Sequence, residues 1–396
     1  MQLGLLEPKA ALTSAFNLVD PEITAYGGDI GFLRSNAPIR PDGRAAVTAF
    51  DLFAGGGGLS LGTAVAAAQR GRRLNIVGAI ENDDSAASVY RKNFSVETFE
   101  RDVREVFGTY GSPLTLRERR VRAAHVDLLL AGPPCQGNSD LNNYTRRKDH
   151  RNQLYFTVAR AAEVLRPRHV IIENVPGVRH DRKGVANQTA AALQQLGYNV
   201  IGILLNAADF GVAQYRKRFF LIASRDALYG LPDLIEQHKL PLRPLSWAIG
   251  DLSGRCDVTS LTDSPGETKG ANRDRIRYLF EAGLYDLPDA KRPPCHSEKD
   301  HSYKSVYGRL HWDKPAQTIT RGFFSVCMGR YVHPDEPRSI TAHEAARIQF
   351  IPDYFSLTPA RSKTALAKII GNVVPPKLSY VIVQSLLLIE AIGAHR

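Results

Sequence analysis

Short apolar runs alternate with longer amphipathic stretches over residues 48–224. Continuous apolar runs bounded by glycine and polar residues are typical of strands that are buried on both faces of a parallel sheet. The pattern predicts six strands: TAFDLF (48–53), LNIVGAI (74–80), VDLLLA (126–131), HVIIEN (169–174), YNVIGILL (198–205) and RFFLIAS (218–224).

Helices are predicted where apolar residues recur three and four positions apart. Two such stretches lie between the predicted strands, LYFTVARAAEVL (154–165) and VANQTAAALQQL (185–196). Two more follow later, TAHEAARIQ (341–349) and PPKLSYVIVQSLLLIEAIG (375–393), the second with proline at its start. Strands that alternate with helices indicate an α/β fold, in which helices cover a sheet.

The alternation stops after residue 226. From there to about residue 337 the chain is rich in Pro, Gly, Asp and Arg without a clear period, which predicts a second, smaller and irregular domain. We expect residues 46–225 and 360–396 to form the main domain and residues 226–359 the smaller one. Residues 1–45 carry no motif and are treated as an N-terminal extension of unknown role.

Charge adds an expectation about the partner. Lys and Arg number 51 against 40 for Asp and Glu, a formal net charge of +11 among 396 residues, which favours a polyanionic partner. Basic residues cluster in LRERRVR (116–122) and YTRRKDHR (144–151), although a single run of this kind is more often a solvated face.

No signal-like segment or apolar run of about 18 residues is evident, so we expect a cytoplasmic protein without membrane contact.

The four cysteines are far apart and form no CxxC pair, so neither a disulfide framework nor a zinc ribbon is indicated. CHSEKDH (295–301) lacks paired ligands at zinc spacing, and no metal site is predicted. Cys135 differs from the other three because it follows a predicted strand and two prolines in LLLAGPPCQGNS (128–139). A thiol aimed in this way suggests a nucleophile, whereas the alternative is an inert buried side chain.

Acidic and glycine-rich positions predict a ligand pocket at the carboxyl ends of the first strands. DLFAGGGGLSLG (51–62) follows the first strand and opens a helix, as in a dinucleotide-binding site or a plain tight turn. Glu81 ends the next strand, where a carboxylate can accept hydrogen bonds from ribose hydroxyls. Asp102 is placed to receive an adenine amino group or, alternatively, to cap a helix.

Two later strands add charged side chains at the same edge of the sheet. Glu173 ends HVIIEN, where partial burial would raise its pKa and allow it to share a proton near neutral pH. Arg216 and Arg218 in QYRKR are two positions apart, so at strand spacing both would project from one face. An ion-paired rim and an exposed edge strand are the plain alternatives.

Six motifs occur in the order and approximate spacing of one known family: AFDLFAGGGGLSLG, GPPCQGNS, IIENVPGV, QYRKR, TAHEAARIQFIPDYF and GNVVPP. The chain resembles the C5-cytosine-specific DNA methyltransferases over residues 48–224 and from residue 338 onward. RLHWDKPAQTIT (309–320) resembles the close of their target-recognition domain. The resemblance implies a Rossmann-like S-adenosylmethionine-dependent methyltransferase domain with a smaller, irregular target-recognition domain.

The resemblance also implies a role for particular residues. Cys135 matches the nucleophile, Glu173 the partner of cytosine N3, Arg218 the arginine that holds the base carbonyl, and Arg216 a support of that pocket. The positions implied for the cofactor are Asp51, Phe53, Gly55, Gly57, Glu81, Asn82, Asp102, Pro134 and Asn372. Those implied for the loop that closes over DNA are Gln136, Ser139, Arg146, Arg147 and Lys148.

Three positions depart from the family pattern. Asn82 stands where many members carry an aromatic residue that stacks on adenine, and Asn138 replaces a common Phe. His343 replaces the usual Arg of the helix motif, which puts the tethering of the recognition domain or a phosphate contact in doubt.

The function that the resemblance implies is methyl transfer from S-adenosylmethionine to C5 of a flipped-out cytosine in a specific duplex DNA site, through a covalent adduct between Cys135 and C6. The expected product of the cofactor is S-adenosylhomocysteine. The expected partners are double-stranded DNA and, separately, a cognate restriction endonuclease, with the enzyme a monomer on DNA. The alternatives are a tRNA cytosine methyltransferase, a catalytically silent DNA-binding relative and a nicotinamide-dependent oxidoreductase.

Overall fold

The computed structural model describes residues 19–41, 43, 45–134, 153–181, 184–297 and 305–394. Its central feature is one seven-stranded sheet. The strands are β1 Ala46–Leu52, β2 Arg73–Ile80, β3 Phe99–Glu100, β4 Leu128–Ala131, β5 His169–Asn174, β6 Asn199–Asn206 and β7 Lys217–Ser224. The six predicted strands are therefore present, and the two-residue β3 is an addition that is too short to show an apolar run.

The strand order is β3-β2-β1-β4-β5-β7-β6. Neighbours from β3 to β5 pair in parallel, whereas β7 is antiparallel to both β5 and β6. The carboxyl ends of β1, β2, β4 and β5 therefore meet at one edge of the sheet. The reversed direction of β7 brings its first residues to that same edge, because Asn174 at the end of β5 pairs with Phe219 near the start of β7.

Helices cover the sheet and continue beyond it. They are α1 Asp29–Leu33, α2 Gly58–Gln69, α3 Asp84–Asn93, α4 Val103–Val106, α5 Leu116–Val121, α6 Gln153–Leu165, α7 Val185–Gln195, α8 Leu231–Gln237, α9 Leu245–Ile249, α10 Gly270–Glu281, α11 Pro294–Ser297, α12 Ala342–Ile348, α13 Lys363–Asn372 and α14 Pro376–Ala394. The four predicted helices correspond to α6, α7, α12 and α14.

The sheet separates two hydrophobic clusters. Successive side chains of a strand point to opposite faces, and in β4 Leu128 and Leu130 face one cluster while Leu129 and Ala131 face the other. The first cluster includes apolar residues of α2 and α14, and the second includes those of α6 and α7. The α/β class is confirmed, because a sheet buried on both faces is what continuous apolar runs require.

The division of the chain into domains remains a prediction. A separate small cluster comprises Ile276, Leu279, Leu287, Val306, Tyr307, Val326 and Val332. Leu231, Leu245 and Ile348 lie within the predicted recognition domain but pack in the main cluster. Residues 19–41 also pack against the main domain: Phe32 joins its core, and the carboxylate of Asp29 is paired with Lys377 at 2.7 Å.

One apolar segment bears on the expectation that the protein has no membrane contact. The segment Lys363–Gly393 is long and apolar enough to cross a bilayer by length and composition alone. Its most apolar window is 89% buried inside the protein, and the chain between α13 and α14 breaks it into two helices. Burial on this scale is that of a core helix, since a membrane span would present its apolar surface to lipid.

Candidate active site

A cleft of about 1480 Å³ opens at the edge where the parallel strands end. Its walls come from the segments that follow β1, β2, β4 and β5, from the first residues of β7, and from two later segments around residues 318–321 and 368–374. Ligands of open α/β sheets bind outside the carboxyl ends of strands. The cleft is therefore the candidate active site, and we refer to it below simply as the cleft.

The glycine loop forms the floor of one end of the cleft. Phe53, Gly55 and Gly57 all have positive φ, at 56°, 54° and 91°, so the chain turns sharply between β1 and α2. A Cβ on Gly57 would lie 2.5 Å from the ring of Phe94, so no larger residue fits there without displacing the ring. Phe53 and Gly55 line the cleft, whereas Gly57 lies behind the lining.

Glu81 connects this loop to the end of β2. Its carboxylate accepts hydrogen bonds from the backbone N–H of Gly55 at 2.8 Å and of Asp83 at 2.7 Å. Burial raises the pKa of Glu81, while these two hydrogen bonds lower it. Each carboxylate oxygen has two acceptor sites, so both can still receive a ligand hydroxyl.

Asp51 lies beneath the loop and outside the cleft lining, with only 1% of its surface exposed. Its Oδ2 accepts hydrogen bonds from Ser60 Oγ at 2.6 Å and Tyr90 Oη at 3.2 Å. Its Oδ1 has no hydrogen-bond partner among the described residues. Burial raises the pKa of Asp51 to about 7, so near neutral pH the group can carry a proton.

The other cofactor positions described by the structure line the cleft: Asn82, Asp102, Pro134 and Asn372. Asp102 is also the N-cap of α4, because its side chain accepts from the backbone N–H of Arg104 at 2.9 Å. The ion pair with the Arg104 guanidinium at 2.6 Å lowers the pKa of Asp102. Asp102 therefore both caps α4 and lines the cleft.

Glu173 and Arg218 form an ion pair at the other end of the cleft. Arg218 Nε lies 2.6 Å from Glu173 Oε1, and the two side chains are 13% and 12% exposed. Burial raises the pKa of Glu173, and the positive charges of Arg218 and Arg216 oppose that shift. The pair presents an acid and a guanidinium in one place with little access to water.

Arg216 is buried and does not project freely beside Arg218. Its Nη1 donates to the carbonyl of Ile319 at 2.7 Å, and its Nη2 donates to the carbonyls of Gly371 at 2.9 Å and Val373 at 3.1 Å. Burial and the nearby charge of Arg218 lower the pKa of Arg216 well below its usual range. Arg216 therefore joins three segments that form one wall of the cleft.

Two polar residues of this site were not singled out from the sequence. Asn174 donates from Nδ2 to the carbonyl of Pro133 at 3.2 Å and so holds the diproline segment against β5. Gln214 donates to Gln349 at 2.8 Å and accepts from the backbone N–H of Ile319 at 2.8 Å. Their positions inside motifs could have identified them, since Asn174 follows Glu173 directly and Gln214 begins QYRKR.

Several predicted site residues lie outside the described residues. These are Cys135, Gln136, Asn138, Ser139, Arg146, Arg147 and Lys148. The side chains of Cys295 and His296 and residues 298–301 of the CHSEKDH segment lie outside them as well. The last described residue before Cys135 is Pro134, which lines the cleft between the glycine loop and the Glu173 end.

His343 links α12 to two acidic residues of distant segments. Its Nδ1 is 2.8 Å from Asp263 Oδ1, and its Nε2 is 2.9 Å from Asp353 Oδ1. Burial lowers the pKa of His343, but the hydrogen bonds to Asp353 and Asp263 outweigh that effect and raise it overall. The histidine at this position thus still links α12 to residue 263 of the predicted recognition domain.

Comparison with known proteins gives a consistent set of likenesses. The model of a family described as C-5 cytosine-specific DNA methylase matches residues 47–387. Type II methyltransferase M1.BsuMI of Bacillus subtilis (strain 168) is 46% identical over 336 residues, which cover 84% of this chain and 78% of that protein. Type II methylase M.HgiDII of Herpetosiphon aurantiacus is 31% identical over 351 residues, covering 85% and 94%.

The solved structures resemble the chain in fold. A DNA modification methyltransferase encoded within a prophage of E. coli superposes with a TM-score of 0.60, covering 87% of this chain and 100% of that one. At 23% sequence identity, this likeness bears on the fold alone.

Proposed function

The chain belongs to the C-5 cytosine-specific DNA methylase family, and from this premise we propose how its cleft carries out methyl transfer to cytosine. The protein is a DNA (cytosine-5-)-methyltransferase of the type II kind found in its curated relatives. One observation supports the proposed mechanism most directly: the buried ion pair of Glu173 and Arg218 lies in the same cleft as the glycine loop and Glu81.

The glycine-loop end of the cleft suits S-adenosylmethionine. The carboxylate of Glu81 is held by two backbone N–H groups, which leaves acceptor sites for ribose hydroxyls. Phe53, Asn82 and Asp102 line the cleft and suit an adenosine, and Asn372 of the later segment lines it as well. When bound, this cofactor supplies an electrophilic methyl group, and the expected product is S-adenosylhomocysteine.

The Glu173 end suits a cytosine ring. Glu173 would hold a proton against N3 and stabilise the charge that moves onto the ring, while Arg218 would donate to the carbonyl of the base. The raised pKa of Glu173 favours this, because a protonated carboxyl can donate to the unprotonated N3 near neutral pH. The target nucleotide must rotate out of the duplex to enter the cleft, at a cost of a few kcal/mol.

Cys135 supplies the nucleophile in this proposal. Its thiolate would add to C6 of the ring, which makes C5 carbanion-like; C5 then takes the methyl group, loses its proton, and the thiol leaves. A thiol is only partly ionised at neutral pH, so nearby positive charge would favour the thiolate. Gln136, Ser139, Arg146, Arg147 and Lys148 would belong to the loop that approaches the DNA backbone.

The biological setting proposed is restriction and modification. The relatives are named type II methyltransferases and methylases, which supports a cognate endonuclease that acts separately. The proposal also places the enzyme in the cytoplasm, as a monomer on DNA. The predicted recognition domain, residues 226–359, would read the base edges of a specific duplex site.

Transfer of a labelled methyl group tests the proposal directly. We expect label from S-adenosylmethionine to enter duplex DNA at cytosine C5 with the wild type and not with Cys135→Ser, while the variant still binds the cofactor by calorimetry. Bisulfite sequencing of the treated DNA would then give the recognised site. Undiminished transfer by the serine variant would rule out the covalent route, and label found only in tRNA would favour the RNA alternative.

The remaining alternatives have simple tests. A catalytically silent relative would bind duplex DNA without transferring label. A nicotinamide-dependent enzyme would bind NAD more tightly than S-adenosylmethionine, which the family membership argues against.

A further inference from the structure

A second cavity of about 600 Å³ lies at the opposite edge of the sheet from the cleft. Its lining comes from the segments just before β4 and β5 and from the residue that follows β7. Since β5 has six residues, the two edges are about 20 Å apart. We call this cavity the rear pocket, and its charged lining residues are Arg122, His125, Asp127, Arg166, Arg168 and Arg225.

Some of these charged side chains already form ion pairs within the protein. Arg168 pairs with Asp226 at 2.6 Å and with Glu390 at 2.5 Å. His125 lies 3.0 Å from the Asp127 carboxylate, which also accepts hydrogen bonds from Thr48.

Two other guanidinium groups form no such ion pair with a described residue. Within the described parts of the chain, the side chains of Arg122 and Arg166 form no hydrogen bond or ion pair, and Arg166 is exposed. Arg225 donates to the carbonyl of Pro167 and stacks 4.6 Å from the Tyr198 ring, so its charge is not neutralised by either contact. Among the described residues, the Asp127 carboxylate and the partners of Arg168 offset part of the positive charge, whereas the charges of Arg122 and Arg166 have no ion-pair partner.

The backbone at Arg166 adds an independent observation. Its φ is +52°, in the left-handed region, and it follows the last residue of α6 directly. A non-glycine residue is disfavoured in this conformation, and glycine would adopt it without strain. An arginine held there against its backbone preference suggests that its guanidinium is needed in the pocket.

We infer that the rear pocket is a phosphate-binding site that is separate from the cleft. The guanidinium groups of Arg122 and Arg166 bind the phosphate there. A guanidinium fork matches the oxygens of a phosphate, and the pocket is large enough for such a group. Arg119 and Arg120 of α5 are exposed and extend the basic surface beside Arg122. The phosphate is that of a DNA backbone outside the methylated site or of a free polyphosphate.

The test uses full-length enzyme, an A·T-only duplex and inorganic tripolyphosphate. The duplex has no cytosine, so its binding does not depend on base capture in the cleft. The double variant R122Q/R166G is compared with K92Q/K239Q, which removes two exposed cations outside both cavities. Affinity for the duplex is measured by fluorescence anisotropy over a range of salt concentrations, and stabilisation by tripolyphosphate is measured as a shift in melting temperature.

We expect R122Q/R166G to bind the duplex more weakly, with the slope of log K against log salt concentration shallower by about 0.9 for each phosphate that the variant no longer neutralises. The lysine control should match the wild type, and methyl transfer at saturating substrate should be unchanged in both. Loss of the tripolyphosphate shift alone would also support the site and identify a free polyphosphate as its ligand. If both measurements match the lysine control, the inference is wrong.

A purely structural role for Arg166 has a distinct outcome. A cation at the end of α6 could simply stabilise the helix, in which case R166G would lower the melting temperature. Relief of the left-handed strain predicts the reverse, an unchanged or higher melting temperature with weaker phosphate binding. A lower melting temperature without weaker binding would overturn the inference, and R166N, which tolerates the same φ, provides a second variant for the binding measurement.

Discussion

Individual residues of the cleft show how burial determines the chemistry that is available. Asp51 and Glu173 are both acids at strand ends, and desolvation raises the pKa of each. The difference lies in their partners: hydroxyl groups surround Asp51, whereas Glu173 is paired with a guanidinium. Asp51 therefore connects α2 and α3 through Ser60 and Tyr90, and the proposed mechanism has Glu173 exchange a proton with the bound base.

The first prediction concerns Glu173→Gln. The amide can still accept from Arg218 but no longer shares a proton with a base, so we expect kcat to fall about 100- to 10,000-fold. Cofactor affinity, measured by calorimetry, should change little because the Glu173 side chain pairs with Arg218 and, among the described residues, makes no hydrogen bond to the glycine loop or to Glu81. Activity near the wild-type level would mean that Glu173 has no role in proton exchange, and a lost melting transition would assign it a structural role instead.

The second prediction concerns the pH dependence contributed by Asp51. Its pKa is raised from 3.8 to about 7 on folding, so its contribution to stability is fully present below pH 3.8 and is lost as the pH rises through about 7. Each pKa unit corresponds to about 1.36 kcal/mol, which makes the loss on the order of 4 kcal/mol. Asp51→Asn cannot titrate, so its stability should not change in this way.

Urea unfolding of wild type and Asp51→Asn at acidic and at slightly alkaline pH measures this directly. The free energy of unfolding of the wild type, relative to the variant, should decrease as the pH increases. A difference that stays constant would show that Asp51 keeps its ordinary pKa in the folded protein.

At the scale of elements, the packing of α2 against α14 depends on one glycine. A Cβ on Gly62 would lie 2.0 Å from the carbonyl oxygen of Pro376 and 2.8 Å from the backbone nitrogen of Tyr380. Both atoms belong to the backbone of α14, so they cannot move aside as a flexible side chain would. The close approach brings the start of α14 against the helix that follows the glycine loop.

The third prediction is that Gly62→Ala lowers the free energy of unfolding by about 1–3 kcal/mol, the usual cost of overpacking. In an exposed helix the same change is favourable, since alanine has the higher helix propensity. Gly393→Ala in α14 is the matched control, because a Cβ there has nothing within 4 Å. Equal stability of the two variants would show that α2 and α14 have room for a methyl group between them.

At the scale of the molecule, distant segments are joined through a few buried ionic groups. Lys377 is fully buried and pairs with Asp29 from the opposite end of the chain, and Arg243 pairs with the same carboxylate at 2.8 Å. His343 connects Asp263 with Asp353 in a similar way. Such contacts determine how the segments around the cleft are oriented.

The fourth prediction concerns the His343 tether. Its pKa is raised on folding, so the stability that it contributes is present at low pH and is lost as the pH increases through the raised pKa. The facing groups are Asp263 and Asp353, whose pKa values are lowered, that of Asp353 to about 2, and Arg347, which also pairs with Asp353. The carboxylates stay charged over this range, so the imidazole alone titrates.

His343→Arg stays charged at all these pH values, and His343→Gln is neutral throughout. We expect the melting temperature of the wild type to approach that of the arginine variant near pH 6 and that of the glutamine variant near pH 9. Parallel pH profiles of all three proteins would contradict a role for the imidazolium.

Much of the site could be predicted because its residues belong to local motifs at strand ends. The glycine loop, Glu81, Asp102 and Glu173 meet in one cleft, since the carboxyl ends of parallel strands share an edge of the sheet. What the motifs did not predict are partners in distant segments. Arg216 was expected to share one face with Arg218 and to support the pocket, but its acceptors, the carbonyls of residues 319, 371 and 373, could not be read from QYRKR.

The sequence by itself determined six strands of the seven-stranded sheet, the helices α6, α7, α12 and α14, and the family, because hydrophobic period and motif spacing are local properties of the chain. Only the tertiary structure decided that β7 lies antiparallel between β5 and β6, that His343 bridges two aspartates, and that Glu81 is held by Gly55 and Asp83. These features depend on contacts between residues far apart in the chain or on the exact course of the backbone, which no local pattern specifies.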